Sequence, residues 1–478
     1  METWSSKIGF LLAAIGSAVG IGNIWRFSSI VGQNGGGAYL IPFFIAVFFF
    51  AVPLIIMELN LGSRLRATIV TAFGSAGRQF RFLGWMVCAI VFLILSYYLV
   101  ITGWTLGYVI FSAAGVTETF DGFTGTYLPV AFFVASTLAA GAIVSLGVRR
   151  GVERSASLLI PVSFVILVLM AIFTATLPGF AAGIAFFLTP DFSVLADPLI
   201  WSAAFGQAFF SLAVGWGILI TFGGYLEEGG GIPRSALIIT FADLFVALLA
   251  GMVIFPIVFT FGLEPAAGAE LAFSTLPRAF DLMPSGRIFA VAFFALLFFA
   301  ALTSVITMLE VNVVALIEAT RLSRRQVSGL LTAGILIAGM PAALSYSAAD
   351  LTVLGIRILD IMDDTLGTLG LPISALMTAV VFTWFFREEV FPAGEYGSGL
   401  LRLVYPICKY AVPAVLTLTI AARLLTVLVP PGGRGLPDCA SIDPLAAGIM
   451  VVLVLVLIAG GIAVAWKVRG WRPPRPGE

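Results

Sequence analysis

The stretch Ile8-Gly-Phe-Leu-Leu-Ala-Ala-Ile-Gly-Ser-Ala-Val-Gly-Ile-Gly-Asn-Ile-Trp-Arg-Phe27 decides the fold. It is apolar and long enough to cross a bilayer, yet Gly16, Gly20 and Gly22 interrupt it, and Asn23 and Arg26 follow at once. A lipid-facing helix gains nothing from three glycines, and an arginine within it is costly. A helix that unwinds halfway, and turns its freed N–H and C=O groups toward a polar ligand, uses every one of these residues. The rest of the chain then serves as the frame around that break.

The chain has 478 residues, is 60% hydrophobic and only 10% charged, with a mean hydropathy of +1.10. Repeated apolar runs of about 20 residues mean membrane-spanning helices. Because the first run follows Met1-Glu-Thr-Trp4, lacks a basic n-region and a small-residue cleavage site, and holds Asn23 and Arg26, it is expected to be the first span and not a removable signal. Histidine is absent, which excludes a histidine proton relay and histidine-ligated zinc or haem. Cys88, Cys408 and Cys439 have no paired spacing and imply neither disulfides nor a metal cluster. The formal net charge of zero says nothing about nucleic acid, and none is expected as a partner.

Turn and charge clusters divide the apolar runs into twelve expected helices, at 8–32, 38–65, 82–113, 129–147, 154–177, 198–225, 233–261, 286–319, 326–344, 357–386, 402–427 and 444–467. Structured loops are expected near 190–192 and 264–284, and a loose tail at 473–476. Most of the 25 Lys and Arg residues, including Arg64, Arg66, Arg149, Arg150, Arg324 and Arg325, fall in the links on one side. That asymmetry predicts a multi-pass protein of the cell membrane, here a prokaryotic inner membrane, with both termini cytoplasmic. The sixth run repeats the anomaly of the first: Phe209-Phe-Ser-Leu-Ala-Val-Gly-Trp-Gly217 puts small residues and a hydroxyl in the middle of a span. Five helices separate the two interrupted spans, so the second enters from the opposite side, as an inverted repeat requires. Paired interruptions of this kind point to the midplane site of a secondary transporter.

Gly16-Ser-Ala-Val-Gly-Ile-Gly-Asn-Ile-Trp-Arg-Phe27, followed by Asn34-Gly-Gly-Gly-Ala-Tyr-Leu-Ile-Pro42, closely resembles the signature of the neurotransmitter:sodium symporter family, and in particular its prokaryotic leucine and hydrophobic amino-acid transporters. The resemblance continues through Ser96-Tyr-Tyr98 with Trp104-Thr-Leu-Gly107, Gly206-Gln-Ala-Phe-Phe-Ser211, Ala242-Asp243 with Leu249-Ala-Gly251, and Phe299-Ala-Ala-Leu-Thr-Ser304, over roughly residues 4–390. It implies an all-α integral membrane protein with twelve transmembrane helices. Its five-plus-five inverted-repeat core (helices 1–5 at 8–177, helices 6–10 at 198–386, within residues 1–390) has discontinuous helices 1 and 6. Helices 11 and 12 and the tail, 391–478, lie outside the core.

The resemblance also implies the site. One sodium would meet the Ala18 carbonyl, the Asn23 amide, Ser211 and Asp243; a second would meet the carbonyls of Gly16, Val19 and Ala300 and the hydroxyls of Thr303 and Ser304. Hard oxygens of this kind suit such an ion. Gly16-x-x-x-Gly20 also reads as a helix-packing motif, and Thr303 and Ser304 could bond back to their own helix. The substrate carboxylate would meet the Ile21 and Gly22 amides and the Tyr98 hydroxyl. Gly20 stands where monoamine-carrying members have an aspartate, so the substrate itself must bring the negative charge, as a zwitterionic amino acid does. Ile94, Phe210, Ala213, Trp216, Ser304 and Met308 would form the walls and favour a hydrophobic or aromatic side chain, with Trp216 adding bulk. Asp243 replaces the family's usual asparagine, while Phe43 and Ala247 replace its chloride-binding Tyr and Ser; fixed charge at Asp243 is expected to make chloride unnecessary, with proton coupling as a variant. Arg26 is expected to pair with Asp363 or Asp364, over a lid of Phe210 and Tyr98. Glu318 matches the inner-gate acid, but its usual arginine partner falls on Met1. Glu58 is expected to bond freed backbone near a break, and Glu310 to be buried and protonated. Gly151 and Pro161 match a Gly-x₉-Pro pattern that would unwind helix 5.

These residues predict a sodium-coupled symporter that imports an amino acid by alternating access and works with or without oligomerisation. A sodium-gated channel or a transport-inactive amino-acid sensor on the same scaffold is the rival reading. An enzyme is not expected, because no nucleophile–base pair or cofactor motif is present.

Overall fold

A computed structural model describes residues 2–226, 231–263, 271–320, 322–386 and 402–428. Apolar helices account for nearly all of them. Helix α1 (Lys7–Ala18) and helix α2 (Phe27–Gln33) are joined through a wide π-helical turn, Gly22–Arg26, and the pair bends by 53°. Long helices follow: α3 (Gly36–Leu65), α4 (Arg78–Ala114), α5 (Leu128–Ser145) and α6 (Val148–Thr174). After them come two short helices, α7 (Pro198–Ser211) and α8 (Ile218–Gly224). The chain continues through α9 (Ile232–Thr260), α10 (Gly286–Thr320), α11 (Arg324–Ser345), α12 (Ile358–Trp384) and α13 (Val404–Leu424).

Among the described residues nine helices are long and apolar enough to cross a membrane, and the bent α1–α2 pair makes a tenth. The expected twelfth helix, 444–467, and most of the expected tail segment 391–478 lie outside the described residues. Three features differ from expectation. The loops carry helices of their own at Phe120–Thr124, Phe180–Leu188 and Leu276–Leu282, and a two-stranded hairpin pairs Thr352 with Arg357. Helix α6 starts earlier than expected, in a π-helical turn at Val148–Glu153 that contains Gly151. It runs through Pro161 without unwinding, so the structure widens this helix where the sequence suggested a gap.

Both breaks form where glycine and extended residues end the helical ladder. Helix α1 stops at Ala18 because Val19 turns extended (ψ 100°), and the freed amide of Gly20 donates to Asn23 Oδ1 at 3.0 Å. The second break is longer. Ala213, Gly215 and Gly217 all take positive φ (51°, 83° and 72°), which glycine alone adopts without strain. A backbone left unpaired inside a membrane costs several kcal/mol per group, and neighbouring helices supply the missing partners. Glu58 of α3 accepts from the Gly215 N–H at 2.8 Å, and Ser374 of α12 donates to the Gly215 carbonyl. Glu58 therefore does what the sequence suggested. Close packing holds α3 against α8, since a Cβ on Gly62 would lie 2.0 Å from the Ile220 carbonyl oxygen.

The segment before α1 is pinned by a chain of polar contacts. Trp4 is buried and donates to the Phe222 carbonyl at 3.2 Å, and the Ser5 amide donates to Glu153 at 2.9 Å. Glu2 pairs with Arg324 at 2.9 Å and accepts from the Val148 N–H at 2.7 Å. Arg324 also grips the fully buried Glu310 with both terminal nitrogens (2.7 and 2.9 Å), and the Tyr225 hydroxyl donates to the same carboxylate at 2.9 Å. Glu310 is thus one half of an ion pair, where the sequence suggested a lone protonated acid. Arg324, at the start of α11, joins Glu2 of the N-terminal segment to Glu310 of α10.

Removing Arg324 strands a buried carboxylate, which costs about 3–5 kcal/mol. Arg324→Leu should therefore lower the thermal unfolding temperature in detergent markedly, and Glu310→Gln in the same chain should restore most of it. Glu2→Gln, at a half-exposed position, should cost no more than about 1 kcal/mol. A stability unchanged by Arg324→Leu would show the pair to be idle.

Candidate functional site

The two breaks meet. Gln207 of α7 donates to the Gly22 carbonyl at 3.0 Å, and a Cβ on Gly22 would touch the Phe210 ring at 2.7 Å. Between them lies a small chamber of about 20 Å³, lined by Ser17, Ala18, Gly20, Gly22, Asn23, Tyr98, Phe210, Ser211, Trp216, Ile218, Ser304 and Met308. A second cavity of about 170 Å³ lies on the Arg26 side, and Gly22, Tyr98 and Phe210 line both, forming the partition. A third, of about 540 Å³, opens at the other end of the broken helix among Glu2, Thr68, Tyr225, Glu318 and Arg324.

Asn23, Ser211 and Asp243 come from three separate elements and converge beside the chamber. The Asn23 Nδ2 donates to Asp243 Oδ1 at 2.6 Å and to Ser211 Oγ at 2.9 Å; Ser211 Oγ lies 3.0 and 2.9 Å from the two Asp243 oxygens. Asp243 is fully buried and has only neutral donors around it, an arrangement that favours a cation at this point. Asn23 Oδ1 accepts from the Gly20 N–H, which leaves one of its two lone pairs for an ion. Ala18 lines the adjacent chamber wall.

The second expected oxygen cluster also assembles. Ser304 Oγ reaches the Gly16 carbonyl at 3.3 Å and the Ala300 carbonyl at 3.2 Å, and Thr303 Oγ1 donates to the Ala300 carbonyl at 3.0 Å. Gly16 allows this approach, since a Cβ there would lie 3.1 Å from Thr303 Cβ. Val19 is the extended residue at which α1 ends. Both hydroxyls bond back to their own helix in this conformation, so an ion would have to draw them away.

The anion cradle is present in outline, with the Ile21 N–H donating to the Tyr98 hydroxyl at 3.2 Å. A Cβ on Gly20 would sit 2.8 Å from Ser304 Oγ and 2.9 Å from the Tyr98 oxygen, leaving no room for an acidic side chain. Two expected wall residues fall elsewhere: Ile94 is buried within α4 and Ala213 lies in the left-handed turn of the second break, and neither lines the chamber. Ser17 and Ile218 take their places. Ser17 stands one residue after Gly16, and Ile218 opens α8, a position visible only once the helix start is known.

The gates differ most. Arg26 and Asp363 line the same cavity, but no ion pair joins Arg26 to Asp363 or Asp364 among the described residues. The Arg26 guanidinium lies over the Phe210 ring at 4.4 Å, Asp363 accepts from the Tyr97 hydroxyl at 2.9 Å, and Asp364 pairs with Arg423 at 3.2 Å. Phe210 in turn meets Trp216 edge-on at 5.6 Å. Glu318 accepts from the hydroxyls of Thr68 and Thr71 and has no cation beside it among the described residues. Phe43 and Ala247 are both buried.

Comparison with known proteins agrees with this geometry. A profile described as the sodium:neurotransmitter symporter family matches residues 1–119 and 125–431. An uncharacterized sodium-dependent transporter of Haemophilus influenzae is 33% identical over 88% of this chain and 98% of its own length. Another from Bacillus subtilis, YhdH, is 36% identical over 79% of this chain and 86% of its own. The crystal structure of MhsT in complex with L-phenylalanine superposes with a TM-score of 0.81 at 34% identity, covering 88% of this chain and all of that one. The chain is a multi-pass membrane protein of a transporting and not an enzymatic kind, and it belongs to the sodium:neurotransmitter symporter family.

Proposed function

We propose that the protein is a sodium-coupled symporter that carries a zwitterionic α-amino acid into the cell by alternating access. The observation that carries this reading is the meeting of two broken helices around Asn23, Ser211 and Asp243, where freed backbone and a buried carboxylate can hold an ion beside a small zwitterion. The chamber favours the same cargo: Tyr98 and the Ile21 amide suit a carboxylate, Gly20 leaves no protein charge for an amine, and the side-chain end at Trp216, Ile218 and Met308 suits an uncharged group. MhsT, which binds L-phenylalanine, shares the fold.

The full architecture is twelve helices with a five-plus-five inverted repeat in residues 1–390, in a prokaryotic cell membrane with both termini cytoplasmic. Sodium binds at two sites, Ala18–Asn23–Ser211–Asp243 and Gly16–Val19–Ala300–Thr303–Ser304, and Asp243 stands in for chloride. Cavities on both sides of a small chamber suit a cycle in which the broken-helix pair moves against its frame. Sodium drives that cycle only by binding one conformation more tightly than the other. Arg26, Phe210, Tyr98 and Asp363 form the outer closure. The Glu2–Arg324–Glu310 chain, with Glu318 beside it, forms the inner one.

In proteoliposomes, an inward sodium gradient should concentrate a labelled amino acid above its external level, and collapse of the gradient should release it. A channel cannot concentrate substrate and a sensor does not move it, so downhill flux alone, or binding without flux, would favour those rivals. Asp243→Asn should lower sodium affinity by tenfold or more without abolishing folding. Wild-type sodium dependence in that variant would remove Asp243 from the ion site.

A further inference from the structure

A cation and an acid on the Arg26 side of the site face one cavity without meeting, and the group that holds the acid bears on how that side closes. The question rests on the alternating-access reading above. Arg26 and Asp363 both line the cavity of about 170 Å³, and Tyr97 lies in the same wall. The Arg26 guanidinium rests over the Phe210 ring at 4.4 Å. Asp364, the next acid along α12, is paired with Arg423 at 3.2 Å. Asp363 accepts from the Tyr97 hydroxyl at 2.9 Å.

Two further observations concern that bond. Tyr97 is buried within the unbroken helical run Arg81–Ala114, so its hydroxyl is held in place. The two charged groups instead sit on wide π-helical turns, Arg26 at the end of Gly22–Arg26 and Asp363 at the start of Asp363–Gly370. Turns of this kind occur mostly at functional sites. The other observation is Gly367, one turn beyond Asp363. A Cβ there would lie 2.7 Å from both the Tyr97 hydroxyl oxygen and Asp363 Oδ1, so glycine at this position leaves room for the bond. An arginine fork binds a carboxylate more strongly than one neutral hydroxyl does. To reach Arg26, however, Asp363 must first give up a hydrogen bond made to its charged form.

We propose that Tyr97 is a positioning residue of the outer closure: its hydroxyl competes with Arg26 for Asp363 and so sets how readily the outer side shuts. While Tyr97 holds the acid, Arg26 stays over Phe210 and the outer cavity stays open. Closure exchanges the hydroxyl for the guanidinium. Removing the hydroxyl leaves Asp363 without that donor and drives it toward Arg26, which favours the closed arrangement.

The test follows the outer cavity with a membrane-impermeant thiol reagent, on the full chain in proteoliposomes containing sodium. Ile30→Cys places the probe in the cavity wall, in a chain that also carries Cys88→Ala, Cys408→Ala and Cys439→Ala. Tyr97→Phe should slow labelling about tenfold, the worth of one hydrogen bond to a charged group. Gly367→Ala forces the hydroxyl and the carboxylate apart while leaving both in the chain, and should slow labelling in the same direction. In Arg26→Gln the competitor is gone, so adding Tyr97→Phe should change the rate by about twofold or less. Wild-type labelling in Tyr97→Phe would show the bond to be idle. An equal slowing with and without Arg26 would show that Tyr97 acts only through packing; either result overturns the inference. Uptake of labelled amino acids by the same vesicles reads symport separately. Its absence in the wild type would sink that reading, while the labelling ratios would still decide whether Tyr97 competes with Arg26.

Discussion

In an apolar layer without water, a peptide group that loses its helical partner must find another, and residues 212–217 release several at once. Their partners are side chains: the Glu58 carboxylate on the Gly215 amide and the Ser374 hydroxyl on its carbonyl. The shorter first break is served by Asn23, which turns back onto the Gly20 amide. The rest of the structure depends on this substitution of side chain for backbone. Without it the cheaper course would be to close the gaps into continuous helix, and the polar interior of the protein would disappear.

The same requirement explains the packing around the breaks. Helix α8 is only seven residues long and could not hold its place alone. It is held by α3, where Gly62 and Gly223 bring the two backbones into contact. Trp4 then donates to the last turn of α8 at Phe222, so the N-terminal segment and the second break are mechanically linked. On that side the contacts are ionic, through Glu2, Arg324 and Glu310. On the other Arg26 lies over Phe210 and Tyr97 bonds Asp363. The two sets of contacts differ in kind: a buried ion pair is directional and costly to leave half-made, whereas ring contacts loosen by degrees.

Much of the site was legible in the sequence because it is written in local exceptions. Glycines at 16, 20 and 22, a hydroxyl at Ser211 and a carboxylate at Asp243 are anomalies in spans otherwise made of lipid-compatible residues, and each anomaly needs a polar reason. The distances bear this out for Asn23, Ser211 and Asp243, which come within hydrogen-bonding reach although 188 and 220 residues separate Asn23 from the other two. Glu310 was misread because the sequence around it offers no cation nearby in the same span. Its arginine lies one loop later and folds back onto it. In place of the expected Arg26–Asp363 pair, Asp363 accepts from Tyr97, one residue from the tyrosine singled out, and Arg26 lies over the Phe210 ring.

The sequence by itself determined that the chain spans a membrane, that two spans are interrupted, and which side chains are too polar to face lipid. These follow from composition and spacing, since a bilayer tolerates few exceptions and makes each one visible. Only the tertiary structure decided which of several nearby acids each arginine chooses, which way the Asn23 amide points, and that Ile218 and Ser17, not Ile94 and Ala213, wall the chamber. Those outcomes turn on ångström-scale differences in where helices cross and how their ends unwind, and no one-dimensional pattern carries that information.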